Sequence, residues 1–137
     1  MRLSKGAMIA SWIFQVAVAV ILLQTLYFKF TGAEVTKHIF ESINAEPFGR
    51  YASGVAELIA AIFLLWPRFA WFGAALAMGV LAGAIVTHLG PLGITFDYPG
   101  GHEDGSLFGL GVFAFLGSSV VLFIRRRSIP IVGERLG

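Results

Sequence analysis

Four apolar runs divide the chain. The first covers residues 7 to about 30, the third 69–89 and the fourth 106–124. Each is close to the roughly 20 residues a helix needs to cross a bilayer. The second, 51–66, is short and interrupted by Glu57; taking 48–50 as its first turn brings it near that length. Pro67-Arg68 then forces a tight turn, because proline has no N–H with which to continue a helix, so the second and third runs form an antiparallel hairpin. Gly90-Pro91 ends the third run, and a Gly/Pro-rich loop, expected to be flexible, leads through 90–105 to the fourth, which stops at Arg125-Arg126-Arg127. The pattern predicts an all-α, integral membrane, four-transmembrane-helix antiparallel bundle. It forms one domain over 1–137, with spans at about 7–30, 48–66, 69–89 and 106–124.

Between the first two runs the periodicity changes. Thr31 and Glu34 fit a capping box, in which each side chain satisfies a free backbone N–H at a helix start. Val35, Ile39, Phe40 and Ile43 fall on one side at helical spacing, and Glu34, Lys37, Glu41 and Asn44 on the other. This reads as a short interfacial helix over about 32–45, lying on the membrane surface.

Composition agrees. Of 137 residues, 57% are hydrophobic and 13% charged, against about 25% charged in a soluble domain; the surplus apolar surface must face lipid or a large partner. The first run is too long for a signal peptide, and Tyr27-Phe28-Lys29-Phe30 sits where a cleavage site needs small residues. Cysteine is absent, which excludes disulfides, thiolate metal sites and dithiol redox chemistry. The basic residues do not interleave with aromatics along an exposed face, so nucleic acid is not an expected partner. Arg2, Lys5, Arg68, Arg125, Arg126, Arg127 and Arg135 fall on one side of a four-span layout, and Lys29, Lys37 and Arg50 on the other. The positive-inside rule makes the first side, with both termini, cytoplasmic. The expected location is a bacterial inner membrane. Trp12, Trp66 and Trp71 read first as interfacial anchors.

In lipid, close packing rather than apolar area drives helices together, so small residues mark interfaces. The third run carries Ala75, Gly79, Gly83 and Thr87 at four-residue steps; the fourth carries Gly105, Gly109 and Gly117 in one phase, interrupted by Phe113. These are the predicted helix-packing positions.

Glu57 is the chief candidate for chemistry. A charge deep in a membrane costs at least about 2.5 kcal/mol, and those that persist face the interior with a partner. Lys29, Gln24, His88, Thr87 and Arg50 come from the same half of the bundle, which suggests a polar pocket open to the non-cytoplasmic side. The same groups can instead act as structural glue, with Lys29 snorkelling to the headgroups. No nucleophile with an oriented base is identifiable, so no catalytic residue is assigned and intrinsic catalysis is not expected. His102, Glu103 and Asp104 are adjacent in a loop and do not make a metal site. Gly90, Gly93, Gly100, Gly101 and Gly105 do not make a phosphate loop, as no Gly-Lys-Ser/Thr follows.

Several segments together resemble the DoxX and DoxX-like small membrane proteins. They are Tyr27-Phe28-Lys29-Phe30-Thr31-Gly32, Tyr51-Ala52-Ser53-Gly54-Val55-Ala56-Glu57-Leu58, Leu64-Leu65-Trp66-Pro67-Arg68, Gly83-Ala84-Ile85-Val86-Thr87-His88-Leu89 and Asp104-Gly105-Ser106-Leu107-Phe108. The resemblance implies a four-helix bundle with Lys29, Glu57 and His88 as the matched polar positions. Some members are associated with a thiosulfate:quinone oxidoreductase and others with membrane oxidoreductase complexes that handle oxidative stress; more distant relatives include assembly chaperones and cargo receptors. The leading expectation is therefore a subunit or accessory of a membrane oxidoreductase system, whose pocket takes a quinone or a lipid. No haem pair, flavin motif or cysteine accompanies it, so an intrinsic redox centre is not expected; a pocket with apolar walls and a His/Lys/Glu end is compatible with a bound quinone. The alternatives are a noncatalytic assembly protein that binds other transmembrane helices, and a small proton-coupled transporter. Membrane lipids, a membrane protein partner or a second copy are the expected partners.

Overall fold

A computed structural model describes residues 3–130; Arg2 and Arg135, used in the sidedness count, lie outside the described residues. Five helices and one small hairpin make up the fold: α1 (Lys5–Thr31), α2 (Glu34–Glu41), α3 (Phe48–Leu64), α4 (Ala70–Leu89), β1 (Phe96–Tyr98), β2 (Gly101–Glu103) and α5 (Ser106–Ile124). A 3-10 turn, Pro67–Phe69, joins α3 to α4, and another, Arg126–Ser128, follows α5.

Helix α1 starts where the Ser4 hydroxyl accepts from the Ala7 amide at 3.1 Å. It ends at Gly32, which takes the left-handed conformation, φ 72°, and donates its N–H to the Phe28 carbonyl. The predicted capping box does not form. Thr31 completes α1 and bonds the Tyr27 carbonyl of its own helix at 2.8 Å, so α2 starts from Ala33 with no side-chain cap.

Helices α1, α3, α4 and α5 form a ring in which α1 touches α3, α3 touches α4, α4 touches α5, and α5 returns to α1; the α1–α5 seam is the loosest. Among the described residues, three segments are long and apolar enough to cross a membrane: Lys5–Thr31, Pro67–Leu89 and Ser106–Ile124. Helix α3 has 17 residues, about 25 Å at 1.5 Å per residue, and is not one of them.

One end of the ring is close-packed. Val18, Leu22, Ala60, Ala61, Leu64, Ala70, Ala74, Ala77, Ala114 and Val121 make its core. The tightest approach is at Gly73, where a Cβ would lie 2.5 Å from the Leu64 amide nitrogen and 2.8 Å from the Ala60 carbonyl oxygen. Only a glycine lets the α3 and α4 backbones meet this closely.

The predicted packing stripe is corrected by these contacts. Ala75, Gly79 and Gly83 are exposed, and a Cβ at Gly79, Gly83 or Gly109 would meet nothing within 4 Å. The closely packed face of α4 runs instead through Ala70, Gly73, Ala74 and Ala77, one to two residues away and so rotated by roughly 100–200° at 3.6 residues per turn. Gly105 is the N-cap of α5 with φ 103°, a turn position rather than a packing one. Gly117 does pack, with a Cβ there reaching Val18 at 3.0 Å and Phe14 at 3.2 Å on α1.

The loop at 90–105 is ordered into an antiparallel hairpin, with Phe96 opposite Glu103, Asp97 opposite His102 and Tyr98 opposite Gly101. Gly100, φ 97°, makes its turn. Phe96 is buried at its base, beside the rings of His38 and His88.

Candidate functional site

At the other end the ring opens around a cavity of about 560 Å³, within the range of small-molecule pockets. The C-terminal half of α1, the start of α3, the second half of α4 and the start of α5 form its walls. Helix α2 and the turn after it are its roof: Val35, Ile39 and Phe40 of the helix and Ile43 just beyond it, the face predicted to be apolar, line the cavity. Two ring contacts hold the roof. The Lys29 ammonium lies 5.6 Å from the centre of the Phe40 ring, and His38 stacks on Phe96 of the hairpin at 5.4 Å.

Glu57, 2% exposed, projects from α3 into this space. Its Oε1 forms an ion pair with the Lys29 ammonium from the last turns of α1. Lys29 is the sole partner of that oxygen among the described residues, which otherwise give it no hydrogen bond. Its Oε2 meets the hydroxyl of Thr25, one turn before Lys29 on the same face of α1. His88 closes α4 and is buried. Its Nδ1 donates to the Gly93 carbonyl at 3.1 Å, since a carbonyl can only accept. The His88 ring stands edge-on to Phe108 of α5 at 5.8 Å. Thr87 lines the wall too, with its hydroxyl bonded to the Gly83 carbonyl at 2.8 Å.

Two predicted members lie elsewhere. Gln24 is exposed and outside the cavity wall; one residue further along α1 is about 100° of rotation, and this puts Thr25 on the inner face instead. Arg50 is buried but is not part of the wall. It binds Glu46 one turn earlier, with Nε 2.9 Å from both carboxylate oxygens, and its Nη1 donates to the Lys29 carbonyl. It thus holds the C-terminal end of α1 against the start of α3, where the helix dipole favours a cation.

Sequence reading missed Tyr98 and Glu103, which the hairpin brings into the wall. Glu103 Oε2 accepts from the Gly105 and Leu107 amides at 2.8 and 3.1 Å, capping α5. On the exposed side of the hairpin, His102 Nδ1 lies 2.6 Å from Asp97 Oδ1; the described residues hold no cluster of three or more His, Asp or Glu fit for a metal ion.

A second buried polar cluster, also missed, lies at the closed end. Arg125, 7% exposed, turns inward rather than to the interface. Its Nε donates to the Ser11 hydroxyl at 3.0 Å, its Nη2 to Gln15 Oε1 at 3.0 Å and its Nη1 to the Pro67 carbonyl at 3.5 Å. Gln15 in turn donates to the Leu64 carbonyl at 2.6 Å. The cluster ties α1, α5 and the α3–α4 turn together, and Ser11 with Gln15, four residues apart inside an apolar run, was its readable signal.

The cavity walls are mostly aliphatic and aromatic, and the polar groups gather at the roof end. Phe28 of α1 and Leu110 of α5 also line it. Apolar helices of membrane-spanning length, bearing buried charges, define an integral membrane protein with an internal amphiphilic cavity. The chain belongs to the DoxX family: the DoxX family model matches residues 11–90, more than half of it. That match contains Lys29, Glu57 and His88 and ends before the hairpin and α5. No curated protein and no solved structure matches the chain.

Proposed function

We propose that this chain is a ligand-binding subunit or accessory of a membrane oxidoreductase system. On this reading it crosses the bilayer four times, with α3 as the short second span and the roof helix α2 at the interface. The excess of Lys and Arg at the closed end makes that end cytoplasmic, so the cavity lies toward the outer leaflet. The observation that carries the proposal is the 560 Å³ cavity, with apolar walls and the Lys29–Glu57 pair at its polar end. A quinone fits the residues present. Its carbonyl oxygens need donors, and the Lys29 ammonium, which has three N–H groups, keeps some beyond the one facing Glu57. A lipid with a small head and an apolar tail fits the same walls. When bound, a quinone would supply electron-carrying chemistry; the residues of this chain bind and orient its head and exclude water.

The test is purification in native lipid followed by solvent extraction and mass spectrometry. Recovery of one amphiphile at about one per chain supports the proposal, and recovery of bulk lipid alone contradicts it. A second reading, a noncatalytic protein that captures other transmembrane helices, is favoured by one observation: Ala75 is exposed and lies outside the cavity wall, so it is not spent on packing inside the bundle. Co-purification of one membrane partner, lost on enlarging Ala75, would favour it.

A further inference from the structure

We infer that the cavity selects a neutral, hydroxyl-headed amphiphile over an anionic lipid. This rests on the reading of the cavity as a ligand site and narrows it to a chemical class.

The charges in the wall are one ammonium, Lys29, and two carboxylates, Glu57 and Glu103, beside the imidazole of His88. Lys29 is spent on Glu57. The other cations near this end, Lys37 and Arg50, are both absent from the wall, and Arg50 is spent on Glu46 and the α1 terminus. Glu103 is held by the α5 amides. An entering phosphate or carboxylate therefore finds no unmatched cation in the wall, which carries one carboxylate more than it has ammonium groups. In a site walled by hydrocarbon, an uncompensated charge is costly.

Hydrogen bonding narrows the head further. With Nδ1–H of His88 committed to Gly93, the neutral ring offers Nε2 as an acceptor. Lys29 offers donors. A hydroxyl can donate to an imidazole nitrogen or accept from an ammonium, whereas an ester or ketone oxygen can only accept. The class is thus a long-chain alcohol or a phenol-headed lipid, the reduced form of a quinone included.

The test is equilibrium binding of three radiolabelled probes with one tail, oleyl alcohol, methyl oleate and oleic acid, to the protein in nanodiscs at about pH 8, where the acid is ionised. The expected order is alcohol, then ester, then acid, with the acid at least about tenfold weaker than the alcohol, the penalty of an unpaired charge. Glu57→Gln frees Lys29 and should shift preference toward the acid. His88→Phe, flanked by aromatic rings, should bring alcohol and ester together. Equal or tighter binding of the acid by the unaltered protein overturns the inference, as does equal binding of alcohol and ester, while leaving the ligand site itself intact. Saturable binding of none of the three overturns the ligand-site reading instead. The contrast among probes on the unaltered protein needs no variant to fold.

Discussion

Lys29 on α1 and Glu57 on α3 form a buried ion pair, with side chains 14% and 3% exposed, and both stand in the wall of the same cavity. The pair therefore has two roles. It joins two helices, and it sets the charge of the cavity end.

Breaking one side of such a pair leaves an uncompensated buried charge. Lys29→Met or Glu57→Leu alone should destabilise the protein by about 3–5 kcal/mol, and the double variant should recover most of that loss. Thermal unfolding in one detergent, arranged as a double-mutant cycle, measures the coupling. Additive losses would mean that the two groups do not act as a pair.

The glycines of α4 should separate sharply. Gly73→Ala places a methyl 2.5 Å from the Leu64 backbone nitrogen, so the helices must part, at a cost of about 1–3 kcal/mol or more. Gly79→Ala and Gly83→Ala meet nothing within 4 Å, and should leave stability unchanged or slightly raised, since alanine favours the helix by up to about 1 kcal/mol over glycine. Melting temperatures of the three variants decide the matter. Loss at Gly83 equal to that at Gly73 would restore the packing stripe read from sequence.

Arg125 should behave as a structural pin at the closed end. Arg125→Met removes charged hydrogen bonds to Ser11 and Gln15, each worth about 1.5–3 kcal/mol, and should lower the melting temperature without altering ligand recovery. Arg125→Lys, lacking the forked geometry, should restore only part. Unchanged stability in Arg125→Met would contradict the role.

Asp104 should titrate low. The Ser106 hydroxyl and amide, 2.6 and 3.0 Å from its Oδ1, hold the carboxylate below its ordinary value of 3.8. Because the folded value is depressed, this cap supports folding above pH 3.8 and is lost as pH falls through the lower folded value. An NMR titration of Asp104 should give a midpoint below 3.8, moving up in Ser106→Ala. A midpoint at or above 3.8 in the unaltered protein would contradict it.

Much of the helix layout was readable because long apolar runs and Gly/Pro stops are local signals. The fourth apolar run coincides with helix α5, Ser106–Ile124, and Lys29, Glu57 and His88 were singled out because charge and imidazole are conspicuous among apolar residues. What was not readable depended on rotation and tertiary contact. Gln24 was chosen for its polarity, but helical phase gives the inner face to Thr25. The Ala75–Gly79–Gly83 spacing looked like packing, yet glycine serves equally well to leave space, and here Gly79 and Gly83 face the cavity. The hairpin escaped notice because three-residue strands carry no periodicity, and Tyr98 and Glu103 were lost with it. Arg125 was grouped with its two arginine neighbours, although two of its acceptors, Ser11 and Gln15, lie more than a hundred residues earlier on α1.

The central claim is that the cavity holds one amphiphile. The most direct measurement compares the extractable small molecules of the unaltered protein with those of Gly83→Leu, purified side by side from the same membranes. Leucine at this position projects into the cavity without meeting a neighbour at its Cβ. The account predicts one amphiphile at about one per chain in the unaltered protein, and its loss from a Gly83→Leu variant that still folds. Equal recovery from both, or bulk lipid alone from the unaltered protein, would contradict it.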